Sequence, residues 1–209
     1  MDSISYKTVG APGSQQFIIN KSRFIGYAAP CKTEEEALAF LAQIREKHKD
    51  ASHNCYAYVI GQNAGIARYS DDGEPAKTAG TPALEVLQHS GLTDLIVVIT
   101  RYFGGVLLGT GGLVRAYTTA TSRALEAAEV VTVRSVVALD VTVDYGLYER
   151  ADLLIKAAGG KLAEPEFTDK VTLRWQMPEH TEGPLLTQLQ ELTRGTANVT
   201  VSEPFYAAF

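Results

Sequence analysis

Residues 95–125 read LIVVITRYFGGVLLGTGGLVRAYTTATSRAL. A near-continuous apolar run is followed by five glycines within nine residues, and then by a helical pattern. An apolar run without polar alternation is the mark of a strand covered on both sides or along a wide face. It predicts helices packed against a sheet. The helix that follows places Leu113, Ala116, Tyr117, Ala120, Ala124 and Leu125 broadly on one face.

The glycines, at 104, 105, 109, 111 and 112, match no common nucleotide fingerprint. They lack the GxGxxG spacing, and no GK[ST] follows as a P-loop would require. Two readings stay open. Glycines permit positive φ and close packing against the sheet. They also leave backbone N–H groups free before a helix, where an anion can sit, with Arg101 and Arg115 adding charge.

The segment upstream carries the other candidate chemistry. NCYAYVIG (54–61) reads as a strand and IARYS as its returning hairpin partner. The loop DDGEPAKTAGTP (71–82) follows, with Thr81-Pro82 as the expected cap and first residue of a short helix. Asp71, Asp72 and Glu74 lie within four residues, with Lys77 and Thr78 behind them. Such a cluster reads either as solvated turn chemistry or as a working loop able to hold a divalent cation or move protons. His53 and Asn54 enter the neighbouring strand as adjacent polar residues that can line a groove, and Tyr69 and Tyr102 offer rings beside it. The spacing of His48, His53 and Cys55 fits no common zinc motif, so no metal is expected. Cys31 and Cys55 read as small buried residues in a reducing compartment.

Elsewhere, SRFIGYAAP (22–30) is an expected strand. Thr33 and Glu36 have capping-box spacing ahead of a helix whose apolar stripe is Ala37, Leu38, Leu41 and Ile44. After Val130 the pattern restarts as strand, helix, two strands, helix and strand, the split βαβ order of a ferredoxin-like domain. The chain is therefore divided at 1–132 and 133–209. Charge helps nucleic acid nowhere: residues 1–130 hold 12 Lys and Arg against 13 Asp and Glu, and the remainder 7 against 11. No apolar window is long enough for a membrane span, and MDSISYKTVG has no export signal, so the expected compartment is the cytoplasm.

YSDDGEPAKTAGTPALEVL and VVITRYFGGVLLGTGGLVRAY together resemble the signature of the IMPACT family, and the two-domain layout is similar to its bacterial YigZ branch. The resemblance extends to KSRFIG and SHNCYAYVIG, and so over essentially the whole chain. It implies an α+β protein of two domains. The first would share the α/β sandwich of ribonuclease PH and of ribosomal-protein second domains. The second would be a ferredoxin-like domain resembling the last domain of elongation factor G.

Eukaryotic members act in translational control, competing for the activator of a stress-responsive kinase. Both domains, in this resemblance, are similar to pieces of RNA- or ribosome-binding proteins, and the acidic loop and glycine segment are expected to converge on the first. The leading expectation is a non-enzymatic cytoplasmic protein that binds RNA or the ribosome in translation or its regulation, without cofactor. In this reading Lys77, Arg101 and Arg115 contact phosphates. Gly104, Gly105, Gly109, Gly111 and Gly112 permit close approach, and His53, Asn54, Tyr69 and Tyr102 add polar and stacking contacts. Two alternatives stand beside it. One is an enzyme on a phosphorylated or nucleotide substrate, with Asp71, Asp72 and Glu74 as metal site or general base. The other is a regulator that binds a translation-regulatory protein.

Overall fold

The computed structural model describes residues 5–209; residues 1–4, the start of the stretch read as lacking an export signal, lie outside the described residues. The chain divides into units spanning Tyr6–Thr132 and Val133–Phe209.

The first unit runs β1 (Tyr6–Ala11), β2 (Gly13–Ile19), β3 (Ser22–Pro30), α1 (Glu34–Lys47), β4 (His53–Ile60), β5 (Ile66–Ser70), α2 (Gly80–Ser90), β6 (Leu95–Tyr102) and α3 (Gly109–Ala127). Five strands form an antiparallel sheet in the order β2-β3-β6-β4-β5. The apolar run is its central strand. Leu95, Val97 and Ile99 face a core built with α2 and α3, while Ile96 and Val98 face a second core under α1. All five are fully buried, which is why this strand shows no polar alternation. Close approach of α3 rests on Gly26: a Cβ there would lie 2.4 Å from the carbonyl oxygen of Ala120.

Helix starts differ from the local sequence signals in instructive ways. Thr33 caps α1, its hydroxyl accepting from the N–H of Glu36 at 3.1 Å. The return arm goes one residue further out, to the N–H of Lys32. Leu38, expected in the buried stripe, is 48% exposed, since Ala37, Leu41 and Ile44 centre the contact. Thr81 does not cap α2. The helix begins at Gly80, and the Asp71 carboxylate, nine positions upstream, accepts from the N–H groups of Ala79 and Gly80 at 3.0 and 2.8 Å. Helix α3 starts at Gly109, four residues before Leu113, so most of the glycines lie inside its first turn.

The second unit contains most of β7 (Glu129–Val143), then α4 (Tyr145–Ala157), β8 (Lys161–Leu162), β9 (Glu166–Phe167), β10 (Val171–Pro178), α5 (Gly183–Leu192), β11 (Val199–Val201) and β12 (Phe205–Ala208). Strands β11 and β12 pair with β7, β7 pairs with β10, and β10 pairs with β8 and β9, all antiparallel. The second and fourth strands expected from the sequence are each broken in two. Pro165 and Pro204 fall in the gaps, where a residue without an N–H cannot continue a ladder. Ala151 and Ile155 of α4 and Leu185 and Leu189 of α5 bury against Val137, Leu139, Val141, Leu173 and Trp175. The architecture is thus α+β, with β-α-β-β-α-β order in the second unit. No helix among the described residues is long and apolar enough to cross a membrane.

Candidate functional site

In the first unit the acidic loop and the glycine segment meet. Strand register begins the arrangement: on β6, Arg101 pairs with Phe24 of β3 on one side and with His53 of β4 on the other. Strand alternation sends all three side chains to the α2/α3 face. The loop after β5 folds back over them. Asp71 holds it closed by also accepting from the N–H of Lys77 at 2.8 Å, and the Thr78 hydroxyl donates to the carbonyl of Pro75 at 2.6 Å. This delivers Glu74 onto Arg101. A recess of about 440 Å³ remains, walled by His53, Glu74, Arg101, Phe103, Leu107 and the first residues of α3.

Glu74 is the recess's central group. Its Oε1 accepts from Arg101 Nη1 at 2.6 Å and from the Tyr117 hydroxyl at 2.8 Å. The Arg101 guanidinium also donates to Ser22 Oγ at 3.3 Å and lies 5.3 and 5.5 Å from the rings of Phe24 and Phe103. His53 Nε2 stands 3.9 Å from Glu74 Oε1, and His53 Nδ1 is 2.8 Å from the backbone oxygen of Asp72. Burial, ahead of the neighbouring Cys55 and Glu74, pushes the Tyr117 phenol far up, so it stays a donor.

The other wall is the start of α3. No side chain among the described residues caps this 19-residue helix, and its first turn holds no acid. Its leading N–H groups lack intrahelical partners and carry the positive end of the helix dipole. Beyond the adjoining residues and the helix's own backbone, no described heavy atom lies within 4 Å of a Cβ built at Gly109 or Gly111.

Several residues proposed from sequence lie elsewhere. Asn54 and Tyr102 neighbour His53 and Arg101 in sequence, so strand alternation turns them to the α1 face. There the Asn54 amide oxygen accepts from Thr100 at 2.7 Å. The Tyr102 hydroxyl meets His48 Nδ1 at 2.8 Å, and Arg23 covers its ring at 4.2 Å. Tyr69, 44% exposed, packs beside Gly80 rather than lining the recess.

Asp71 and Asp72 are committed to the loop itself. Asp72 takes the N–H of Asn54 at 2.7 Å and Arg45 at 2.8 Å, so with Asp71 and Glu74 it does not form a cation cage. Among the described residues no group of three or more His, Cys, Asp or Glu is placed to hold a metal. Lys77 and Arg115 are exposed and do not wall the recess, and Arg101 is neutralised by Glu74 instead of free. Gly104 is a packing residue: a Cβ there would lie 2.0 Å from the carbonyl carbon of Lys21. Gly105 and Gly109 have φ of +84° and +68°, and Gly112 sits against Leu108.

Phe103, Leu107 and Tyr117 were not anticipated. An apolar tip of a glycine segment, with Leu107 84% exposed, was the available signal for the first two. For Tyr117 it was a hydroxyl on an otherwise apolar stripe.

A second hollow of about 500 Å³ lies on the sheet of the other unit, beside Asp140, Lys161, Arg174 and Thr200. There Arg174 is paired with Glu166, Asp140 accepts from the Thr200 hydroxyl, and Lys161 Nζ donates to the Ala208 carbonyl at 3.4 Å.

Residues 20–125 match the Impact N-terminal domain, and residues 141–196 match a domain of unknown function, DUF1949. The chain is 37% identical to IMPACT family member YvyE of Bacillus subtilis over 97% of this chain and 93% of that one. It is 35% identical to IMPACT family member YigZ of Escherichia coli over 88% of this chain and 92% of that one. A crystal structure described as that of a hypothetical protein, 33% identical, aligns with a TM-score of 0.62 over 95% of this chain and 98% of the other.

Proposed function

Because the chain belongs to the IMPACT family, we propose that it is a cytoplasmic, non-enzymatic binding protein that engages RNA or the ribosome in translation or its regulation, using the recess of its first unit. One observation carries this reading: the opening turn of α3, free of a side-chain cap among the described residues, faces the recess beside the paired Arg101 and Glu74. Four leading N–H groups at a helix start form a phosphate seat without any lysine cluster. Phe103 and Leu107 beside it give an apolar shelf for a base. The seat is local, which suits a chain with net charge −5.

Filter binding with single-stranded and structured RNA over a salt series tests the proposal. Binding should appear below about 10 µM and weaken with salt, by about 0.7 in logarithmic slope per single-strand phosphate contact. Absence of salt-sensitive binding overturns it. Recovery of a protein partner that survives nuclease treatment would move the function to protein recognition.

A second reading, catalysis on a phosphorylated or nucleotide substrate, is favoured by His53 Nε2 standing 3.9 Å from the buried Glu74 carboxylate. It requires turnover of such a substrate that His53→Ala removes; equal rates in both proteins would dismiss it.

A further inference from the structure

The recess sets donors against acceptors. The donors are the amides of the first turn of α3. The acceptors are less usual in a phosphate seat. The Asp72 carbonyl can only accept, so His53 Nδ1 carries a proton, and in the neutral ring Nε2 is then an acceptor. Glu74 Oε1, 3.9 Å away, is itself an acceptor and cannot satisfy it. The Glu74 side chain is 3% exposed, yet no hydrogen bond among the described residues reaches its Oε2. Arg101 Nε, also buried, finds no acceptor among the described residues. Buried polar atoms without partners are uncommon in folded proteins, and Arg101 Nε is one of them, on a side chain that walls this recess.

A plain anion does not suit this set. Phosphate needs donors on every side, and the Arg101 charge is already matched by Glu74. A ligand must bring an anion for the helix amides and a hydrogen-bond donor for the acceptor wall. We infer that the recess binds a phosphate ester that also bears free hydroxyls: phosphate on the first turn of α3, one hydroxyl donating to Glu74 Oε2 and another to His53 Nε2. In chemical class this is a ribonucleotide or sugar phosphate. A volume of about 440 Å³ suits a ligand of that size. The ribose hydroxyl is what separates RNA from DNA at a protein site, so the acceptor wall makes the site selective for ribose. The ligand can be the terminal nucleotide of an RNA or a free small molecule. The inference rests on the recess being a phosphate seat, as in the function proposed above.

Calorimetric titration of the full chain tests it with 5′-AMP, its 2′,3′-dideoxy analogue, adenosine, ribose 5-phosphate and a short RNA with a phosphorylated end. The variant is Gly111→Asp. Beyond the adjoining residues and the helix's own backbone, no described heavy atom lies within 4 Å of the new Cβ, and an acid in the first turn suits the helix, so the protein folds with its amides occupied. 5′-AMP and ribose 5-phosphate should bind, and loss of the hydroxyls or of the phosphate should weaken binding about tenfold or more. Gly111→Asp should abolish binding without lowering the melting temperature.

Dideoxy nucleotide binding as tight as 5′-AMP, unchanged affinity in the variant, or no binding by any phosphate-bearing probe overturns the inference. If RNA still binds with salt sensitivity in both proteins, the RNA reading survives that failure. Hydroxyl-dependent binding of 5′-AMP without binding of the RNA upholds the site, assigns it to a free small molecule and removes the RNA reading.

Discussion

Arg101 Nη1 donates to Glu74 Oε1 at 2.6 Å, and the two side chains are only 6% and 3% exposed. The pair joins the centre of the sheet to the middle of a loop that has no regular structure of its own. Removing one partner leaves an unmatched charge where water is scarce. Glu74→Ala is expected to cost about 3–5 kcal/mol in urea denaturation, whereas replacing both residues with apolar ones of similar volume should recover most of that. A loss below about 1 kcal/mol for the single variant would mean the pair is hydrated in solution.

Asp71 accepts from three backbone amides, those of Lys77, Ala79 and Gly80. Asp71→Ala deprives α2 of its only side-chain cap among the described residues and leaves three donors without partners. A loss of about 2–3 kcal/mol is expected, with Asp71→Asn losing less because one acceptor oxygen remains. Thermal melts of both variants check the order.

Glycine substitutions should separate packing from openness. Gly26→Ala and Gly104→Ala each drive a methyl group into backbone, and should destabilise by at least about 2 kcal/mol. Gly111→Ala meets no neighbour within 4 Å and gains helix propensity, so it should stabilise by up to about 1 kcal/mol. Equal effects at the three sites would contradict the packing described.

His48 sits between two phenols, with Nε2 2.7 Å from the Tyr27 hydroxyl and Nδ1 2.8 Å from that of Tyr102. Burial first, then Lys47 and Arg23, lowers its pKa below the usual 6.5. The unfolded chain therefore takes up a proton before the folded one does. Stability from this group is complete above about pH 6.5 and is lost as pH falls towards the lower folded value, at no more than about 1.4 kcal/mol per pH unit. His48→Gln should flatten that stretch of the curve; an unaltered slope would assign it to other groups.

Both cysteines should be inert in the native protein. Burial, then Glu36 and Asp94, pushes the Cys31 thiol up to about 12, and burial raises Cys55 further. A colorimetric disulfide reagent at pH 8 should find no fast thiol in the folded chain and two in denaturant. Rapid native labelling of either would show that its surroundings open readily.

Much of the fold was legible because its signals are local. The run at 95–102 and the stripe from Leu113 to Leu125 each state their own burial. Strand alternation could even have separated His53 and Arg101 from Asn54 and Tyr102, since period two places sequence neighbours on opposite faces. What stayed hidden depends on distant partners. Arg101 looks like a free cation until Glu74 is folded onto it, and Thr81-Pro82 looks like a helix start until Asp71 arrives from nine positions away. The early start of α3 was obscured because glycine is a poor helix former, an intrinsic preference that tertiary packing overrides.

The Asp71 carboxylate makes residues 71–80 a closed ring fastened at its clasp. A ring of set circumference tolerates exchange of its beads but not a change in their number. Adding or deleting one residue between the clasp points would release α2 and withdraw Glu74 together. Retuning this protein towards another ligand is therefore a matter of swapping side chains within a constant length, and loop grafts should keep both the acid and its offset.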